Sequence, residues 1–150
     1  MKRGKPMVLV LAAGVFAAAL FAWQRGWPPR PALGWLQRLQ PEEVTRMELV
    51  YMPQAPEERY HLLKAEEIPA AVEFFNTAHG RYLASPEPVA GGGVSVYLTL
   101  QDGSRHTVTN DGNQYLFVDG ECYLPGYDWL SRWKDSLPQA DEPLPEDFVW

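Results

Sequence analysis

The sequence predicts an α+β fold: an N-terminal transmembrane helix followed by a small domain. In that domain one antiparallel sheet, a four-stranded C-terminal meander plus an N-terminal hairpin, is packed by two helices. Three observations predict it. The stretch "VSVYLTLQDGSRHTVTNDGNQYLFVDGECYLPG" carries three Asp-Gly pairs, at Asp102-Gly103, Asp111-Gly112 and Asp119-Gly120. Asp-Gly supplies the positive φ angles of a two-residue hairpin turn, so regular spacing of the pairs reads as a meander. Upstream, apolar residues switch from a period of two to a helical period at Ile68. Ahead of both, Lys2, Arg3 and Lys5 precede 17 uncharged, almost wholly apolar residues from Met7 to Trp23.

As a helix that run would span about 25 Å, a little under the roughly 30 Å hydrocarbon core of a bilayer. Trp23 and Trp27 fall where indole rings prefer the interface, and the basic cluster predicts a cytoplasmic N-terminus with the body outside. Ala17-Ala18-Ala19 also offers a cleavage site, in which case the segment is a signal peptide and the body is secreted. The expected organisation is a basic cytoplasmic end over residues 1–6 and an anchor or signal peptide over 7–23. A Pro-rich neck with a short helix follows over 24–43, then the extracytoplasmic domain over 44–137 and an acidic disordered tail over 138–150. In the neck, Leu33, Leu36 and Leu39 form a short apolar stripe that Pro41 stops, and Trp35 beside it either touches the membrane surface or docks on the domain, with docking the plainer expectation.

Within the domain, "VTRMELVYMP" alternates Met47, Leu49 and Tyr51 against Arg46, Glu48 and Val50, as a strand does. "QAPEE" is a turn and "RYHLLK" a second strand, so the two form a hairpin. "AEEIPAAVEFFNTAHG" places Ile68, Val72, Phe75 and His79 on one helical face, with Pro69 in the first turn and Gly80 as C-cap. "SPEPVAGGG" is a loop. "YDWLSRWKDSLP" is a second helix, with Asp128 as N-cap and Trp129, Leu130, Trp133 and Leu137 on one side.

The turns also predict register. Two-residue turns at Asp119-Gly120 and Asp111-Gly112 pair Phe117 with Cys122 and Val108 with Tyr115. They gather His106, Val108, Tyr115, Phe117, Cys122 and Leu124 on a core face, and leave Tyr97, Thr99, Thr107, Leu116, Val118 and Tyr123 on a mixed one. At Asp102-Gly103 a two-residue turn would set Leu98 and Leu100 opposite polar residues. A three-residue loop, pairing Leu98 with Val108 and Leu100 with His106, restores one apolar face.

The charge distribution narrows the partners. From Pro41 to Trp150 the chain has seven Lys and Arg against all 19 Asp and Glu, a net charge of −12. Such a surface repels phosphate backbones, so no nucleic acid partner is expected. The single cysteine, Cys122, excludes an internal disulfide. Its register aims it inward, where free cysteine acts as a small hydrophobe rather than a nucleophile. His61, His79 and His106 share no metal-binding spacing, and Asp111-Gly112-Asn113 fails as a calcium loop because Leu116 and Cys122 stand where Gly and Glu are required. Gly91–Gly93 leads into a strand, so it is no phosphate loop. No cofactor, metal or catalytic residue is expected. The candidate binding surface is the aromatic cluster Tyr123, Tyr127, Trp129 and Trp133, read either as the lid of the core or as an exposed platform for sugar rings or a partner.

The "KRGKPMVLVLAAGVF" anchor, the first strand "VTRMELVY" and the "YLFVDGECY" hairpin before a Trp-bearing helix together resemble the small membrane-anchored extracytoplasmic domains common in Gram-positive bacteria. That resemblance implies an exported domain and transfers no catalytic residues. The functional expectation is a non-enzymatic module that binds a protein or cell-envelope component. The alternative is a ligand-sensing or carbohydrate-binding domain using the Tyr/Trp cluster.

Overall fold

A computed structural model of the chain describes Phe16, residues 31–52 and residues 54–150. The chain divides into a unit of residues 1–30 and a unit of residues 31–150. The anchor expected over residues 7–23 therefore lies outside the described residues, except for Phe16. Among the described residues no helix is long and apolar enough to cross a membrane.

The unit of residues 31–150 is α+β. Its seven strands are β1 (Val44–Met52), β2 (Tyr60–Leu62), β3 (Arg81–Leu83), β4 (Gly93–Leu100), β5 (Arg105–Asp111), β6 (Tyr115–Val118) and β7 (Glu121–Leu124). They form one antiparallel sheet in the order β2-β1-β4-β5-β6-β7-β3. Three helices, α1 (Pro31–Leu36), α2 (Ile68–Asn76) and α3 (Tyr127–Ser136), accompany it. The predicted hairpin and four-stranded meander are present. β3, an unpredicted three-residue strand, pairs with β7 at the far edge.

The helices cover one face. Leu33, Leu36 and Leu39 of the neck, Ile68, Val72 and Phe75 of α2, and Trp129, Leu130 and Trp133 of α3 pack on Met47, Leu49, Val96, Leu98, Val108, Leu116 and Val118 of the sheet. The neck helix thus belongs to the domain, whose compact unit starts at Pro31 rather than residue 44. Trp35 docks as expected, stacking on His106 with ring centroids 3.9 Å apart. A bulge between Val44 and Arg46 changes the parity of β1, so Val44 and Met47 both reach the core.

The ends of α2 and α3 differ from the predicted caps. α2 stops at Asn76, where the Thr77 hydroxyl donates to the Phe74 carbonyl, so His79 lies beyond the helix and Gly80 is not its C-cap. Gly80 answers a packing need: a Cβ there would come within 2.9 Å of Tyr123 Cβ. α3 is capped by Gly126, with Asp128 inside its first turn.

Register holds at one turn, shifts at another and flips at the third. Asp119 and Gly120 take φ angles of 47° and 80°, and Phe117 faces Cys122 as predicted. The loop after β4 has three residues, but Leu98 pairs with His106 rather than Val108, a shift of two that preserves the faces. After β5, Gly112, Asn113 and Gln114 make a three-residue loop in which Gly112 and Asn113 take φ angles of 56° and 55°. Val108 consequently faces Val118, not Tyr115. The odd shift flips β6 and β7 as a pair: Leu116, Val118 and Tyr123 turn to the core, while Tyr115, Phe117, Cys122 and Leu124 turn to the outer face.

That outer face is also covered. Val50, Tyr60 and Tyr97 form a second buried cluster on which Leu144 and Phe148 pack. Residues 138–150, expected as a disordered tail, run across it. The Arg59 and Tyr60 N–H groups donate to the Glu142 carbonyl, and the Asp141 and Glu142 N–H groups donate to the Tyr60 carbonyl, in an antiparallel bridge beside β2.

Candidate functional site

Of the four aromatics proposed from sequence, three are core. Tyr123, Trp129 and Trp133 are 1%, 1% and 0% exposed, and Trp129 Nε1 donates to Thr77 Oγ1 at 3.0 Å. Trp129 stacks between Phe74 and Trp133, with centroids at 5.2 and 6.1 Å. Tyr127 alone is open, at 76%. The four therefore form no shared platform. The physical reason is the flipped register, which turns Tyr123 inward, together with the helical spacing of Trp129 and Trp133, which sets both against the sheet. Tyr127 instead borders a small cleft of about 120 Å³ with Asn113 and Lys134, next to a cavity of about 310 Å³ lined by Tyr51, Gln54, Asn110 and the same two residues.

Cys122 is buried, at 3%, but on the outer face between Phe117 and Leu83 of the flanking strands. Burial, and then the nearby Asp111 charge, push its thiol pKa up, away from the nucleophilic thiolate. His106 faces the helices, so the two do not share a face.

His106 takes part in a different arrangement, one that sequence spacing did not reveal. Its Nδ1 lies 2.8 Å from Asp119 Oδ2 and its Nε2 lies 3.3 Å from Ser104 Oγ, an order that resembles a nucleophile relay. The proton bookkeeping points to turn closure. Ser104 Oγ donates to Asp102 Oδ1 at 2.6 Å, and the Ser104 N–H donates to the same oxygen. The Gly103 N–H donates to the Leu100 carbonyl, so neither N–H beside the serine faces a developing oxyanion. Asp119 Oδ1 accepts the Thr107 N–H, which ties the last hairpin to β5. Among the described residues, no group of three or more His, Cys, Asp or Glu side chains could hold a metal ion.

The outer face holds the buried charges. Glu48 is 6% exposed, and its Oε1 accepts from Arg46 Nη2 at 2.9 Å and from the Tyr60 hydroxyl at 2.8 Å. Its Oε2 lies 3.7 Å from Arg105 Nη2. Burial alone would raise the Glu48 pKa, but the Arg46 and Tyr60 hydrogen bonds and the two guanidinium charges outweigh it and hold the carboxyl below its ordinary range. Burial, reinforced by the Glu48 carboxylate, pushes Tyr60 up to about 12.

The Arg105 guanidinium lies 4.8 Å from the Tyr97 ring centroid and 5.3 Å from that of Phe148, so the tail's aromatic ring and the sheet's share one cation. Arg105 Nε is buried and has no hydrogen-bond partner among the described residues. A cavity of about 290 Å³ lies between Arg46, Glu48 and Arg105 on the sheet and Asp147 and Phe148 on the tail. Sequence alternation put Arg46 and Glu48 on one face. It gave no sign of Arg105, which comes 57 residues after Glu48 in the sequence, nor of the tail that closes over them.

No family model, curated protein or solved structure matches the chain.

Proposed function

We propose that the chain is a membrane-tethered module whose domain lies outside the cytoplasm and binds a protein or cell-envelope component without catalysing a reaction. The basic cluster followed by the apolar run of residues 7–23 supports the tether and the orientation. The observation that carries the binding role is the outer-face groove. Arg46, Glu48, Tyr97 and Arg105 form an aromatic and cationic floor, a tail segment already lies in it, and Arg105 Nε is a buried donor without an acceptor among the described residues. A buried N–H left unsatisfied is costly, and a bound carboxylate or carbonyl oxygen would relieve it. The reading that uses Tyr123, Tyr127, Trp129 and Trp133 together loses its surface to the core.

Two experiments test the proposal. Protease added outside intact cells should digest the domain, and full protection would overturn the location. A photo-crosslinker placed at Thr99, beside the groove of the full-length chain in its native membrane, should capture a protein or glycan. Equal capture from a crosslinker at Asp128 on α3 would overturn the binding role.

A further inference from the structure

The occupant of the groove shows what the groove recognises. The segment from Pro138 to Trp150 is acidic, with Asp141, Glu142, Glu146 and Asp147; Pro143 and Pro145 keep it out of a helix, and a turn in which the Phe148 N–H donates to the Pro145 carbonyl presents the ring. The Tyr51 hydroxyl donates to the Pro138 carbonyl at its start, Leu144 packs on the Val50, Tyr60 and Tyr97 cluster, and three further contacts hold it. The antiparallel bridge at Tyr60 and Glu142 uses main-chain groups, as a peptide added to a sheet edge does. His61 Nδ1 lies 2.9 Å from Asp141 Oδ1. The Phe148 ring meets Tyr97 and Tyr60 edge-on at 5.1 and 6.0 Å, with the Arg105 guanidinium alongside.

Charge complementarity is built into this face. Arg46 and Arg105 converge on Glu48 and line the same cavity as Asp147, although the chain from Pro41 onward is strongly acidic. Beyond Phe148, Val149 at the rim of the cavity and Trp150 are 67% and 68% exposed. Emptying the site requires parting the bridge and the His61 and Tyr51 hydrogen bonds and withdrawing Leu144 and Phe148.

Resting on the reading of the chain as a binding module, we propose that the groove is a receptor for an extended acidic segment of a partner protein carrying an aromatic side chain, and that residues 138–150 are its intramolecular occupant. The bridge supplies affinity that is independent of sequence. The Tyr97–Arg105–Tyr60 pocket selects the aromatic ring, and Arg46 with the unpartnered Arg105 Nε selects flanking carboxylates. A tethered tail competes at an effective concentration near the millimolar range. The closed groove therefore admits a partner only when its segment binds more tightly or is itself held at high local density.

The test uses a fluorescent peptide with the sequence of residues 140–150 and the full chain in detergent micelles. Phe148→Ala empties the ring pocket while leaving the Glu142 bridge in place. This variant should bind the peptide saturably, and the unmodified chain at least about tenfold more weakly. Adding Arg105→Ala should weaken binding by about tenfold again, whereas adding Tyr127→Ser on the α3 side should change nothing. A chain ended after Gln139 repeats the measurement with the whole strap absent. Absence of saturable binding in both folded variants would overturn the receptor while leaving the photo-crosslinking result free to stand. Concentration-dependent self-association of the unmodified chain that the peptide dissolves would make the occupant a second copy's tail, and would overturn the partner assignment.

Discussion

Phe148 stands edge-on to Tyr97, ring centroids 5.1 Å apart and planes at 81°, with the Arg105 guanidinium within 5.3 Å of both. The contact joins the end of the chain to a central strand of the sheet. It makes the outer face a second packed layer, and it connects the buried Glu48 network to whether that layer is closed.

Glu48 gives the domain an acid limit. A carboxyl whose folded pKa is depressed contributes stability that is fully present above its unfolded value, near 4.5, and is lost as pH falls through the lower folded value. Unfolding of the full chain followed by tryptophan fluorescence should therefore steepen in acid below about pH 4.5. Glu48→Gln should lower stability at neutral pH by about 1–3 kcal/mol, because a charged acceptor of two hydrogen bonds is replaced by a neutral one. The same variant should flatten the acid limb, and an unchanged limb would remove Glu48 as its source.

The aromatic residues should separate into structural and neutral positions. Trp133 is fully buried, so Trp133→Ala should cost about 3–5 kcal/mol in denaturant unfolding, with Trp129→Ala similar. Tyr127→Ser should stay within about 0.5 kcal/mol of the parent. A stable, well-folded Trp133→Ala chain would contradict the packing described here.

Two glycines should respond for different reasons. A methyl group at Gly93 would run into the Asn110 carbonyl oxygen where β4 meets β5, so Gly93→Ala should destabilise by about 1–3 kcal/mol through overpacking. At Gly120 nothing lies within 4 Å, but φ is +80°. Gly120→Ala should thus cost about 1 kcal/mol from backbone strain alone, and Gly120→Asn less, because asparagine tolerates left-handed angles. Thermal melts of the two alanine variants rank them.

Cys122 should behave as a protected thiol. Alkylation by iodoacetamide at neutral pH should be slow in the folded chain and should accelerate by orders of magnitude in denaturant, because both burial and the raised pKa must be overcome. Rapid alkylation of the native chain would place Cys122 at the surface.

The sheet was legible from sequence where the chemistry was local. Asp119-Gly120 contains both positive-φ residues of its turn, so the pairing of Phe117 with Cys122 followed directly. At Asp111-Gly112 the left-handed positions fall instead on Gly112 and Asn113. Asparagine accepts that conformation as readily as aspartate does, and the difference of one loop residue turned two strands over. The tail was misread for another reason. Leu144 and Phe148 are too widely spaced, and too surrounded by acids and prolines, to produce any period. Their hold depends on Tyr60, Tyr97 and Arg105, which lie distant in sequence. The groove was invisible for the same cause, since half its floor and all its cover come from segments that are not neighbours along the chain.

The sheet ends on both sides in strands of three residues, Tyr60–Leu62 and Arg81–Leu83. Such short edges offer little template for stray strands, and the antiparallel bridge at Glu142 shields one of them further. Lifting the tail would thus do more than open a groove. It would bare a sheet margin able to pair with whatever extended chain is near, so a chain ended after Gln139 should lose colloidal stability on concentration before it loses its fold. A ligand that replaced the tail at the bridge would restore protection against aggregation along with occupancy.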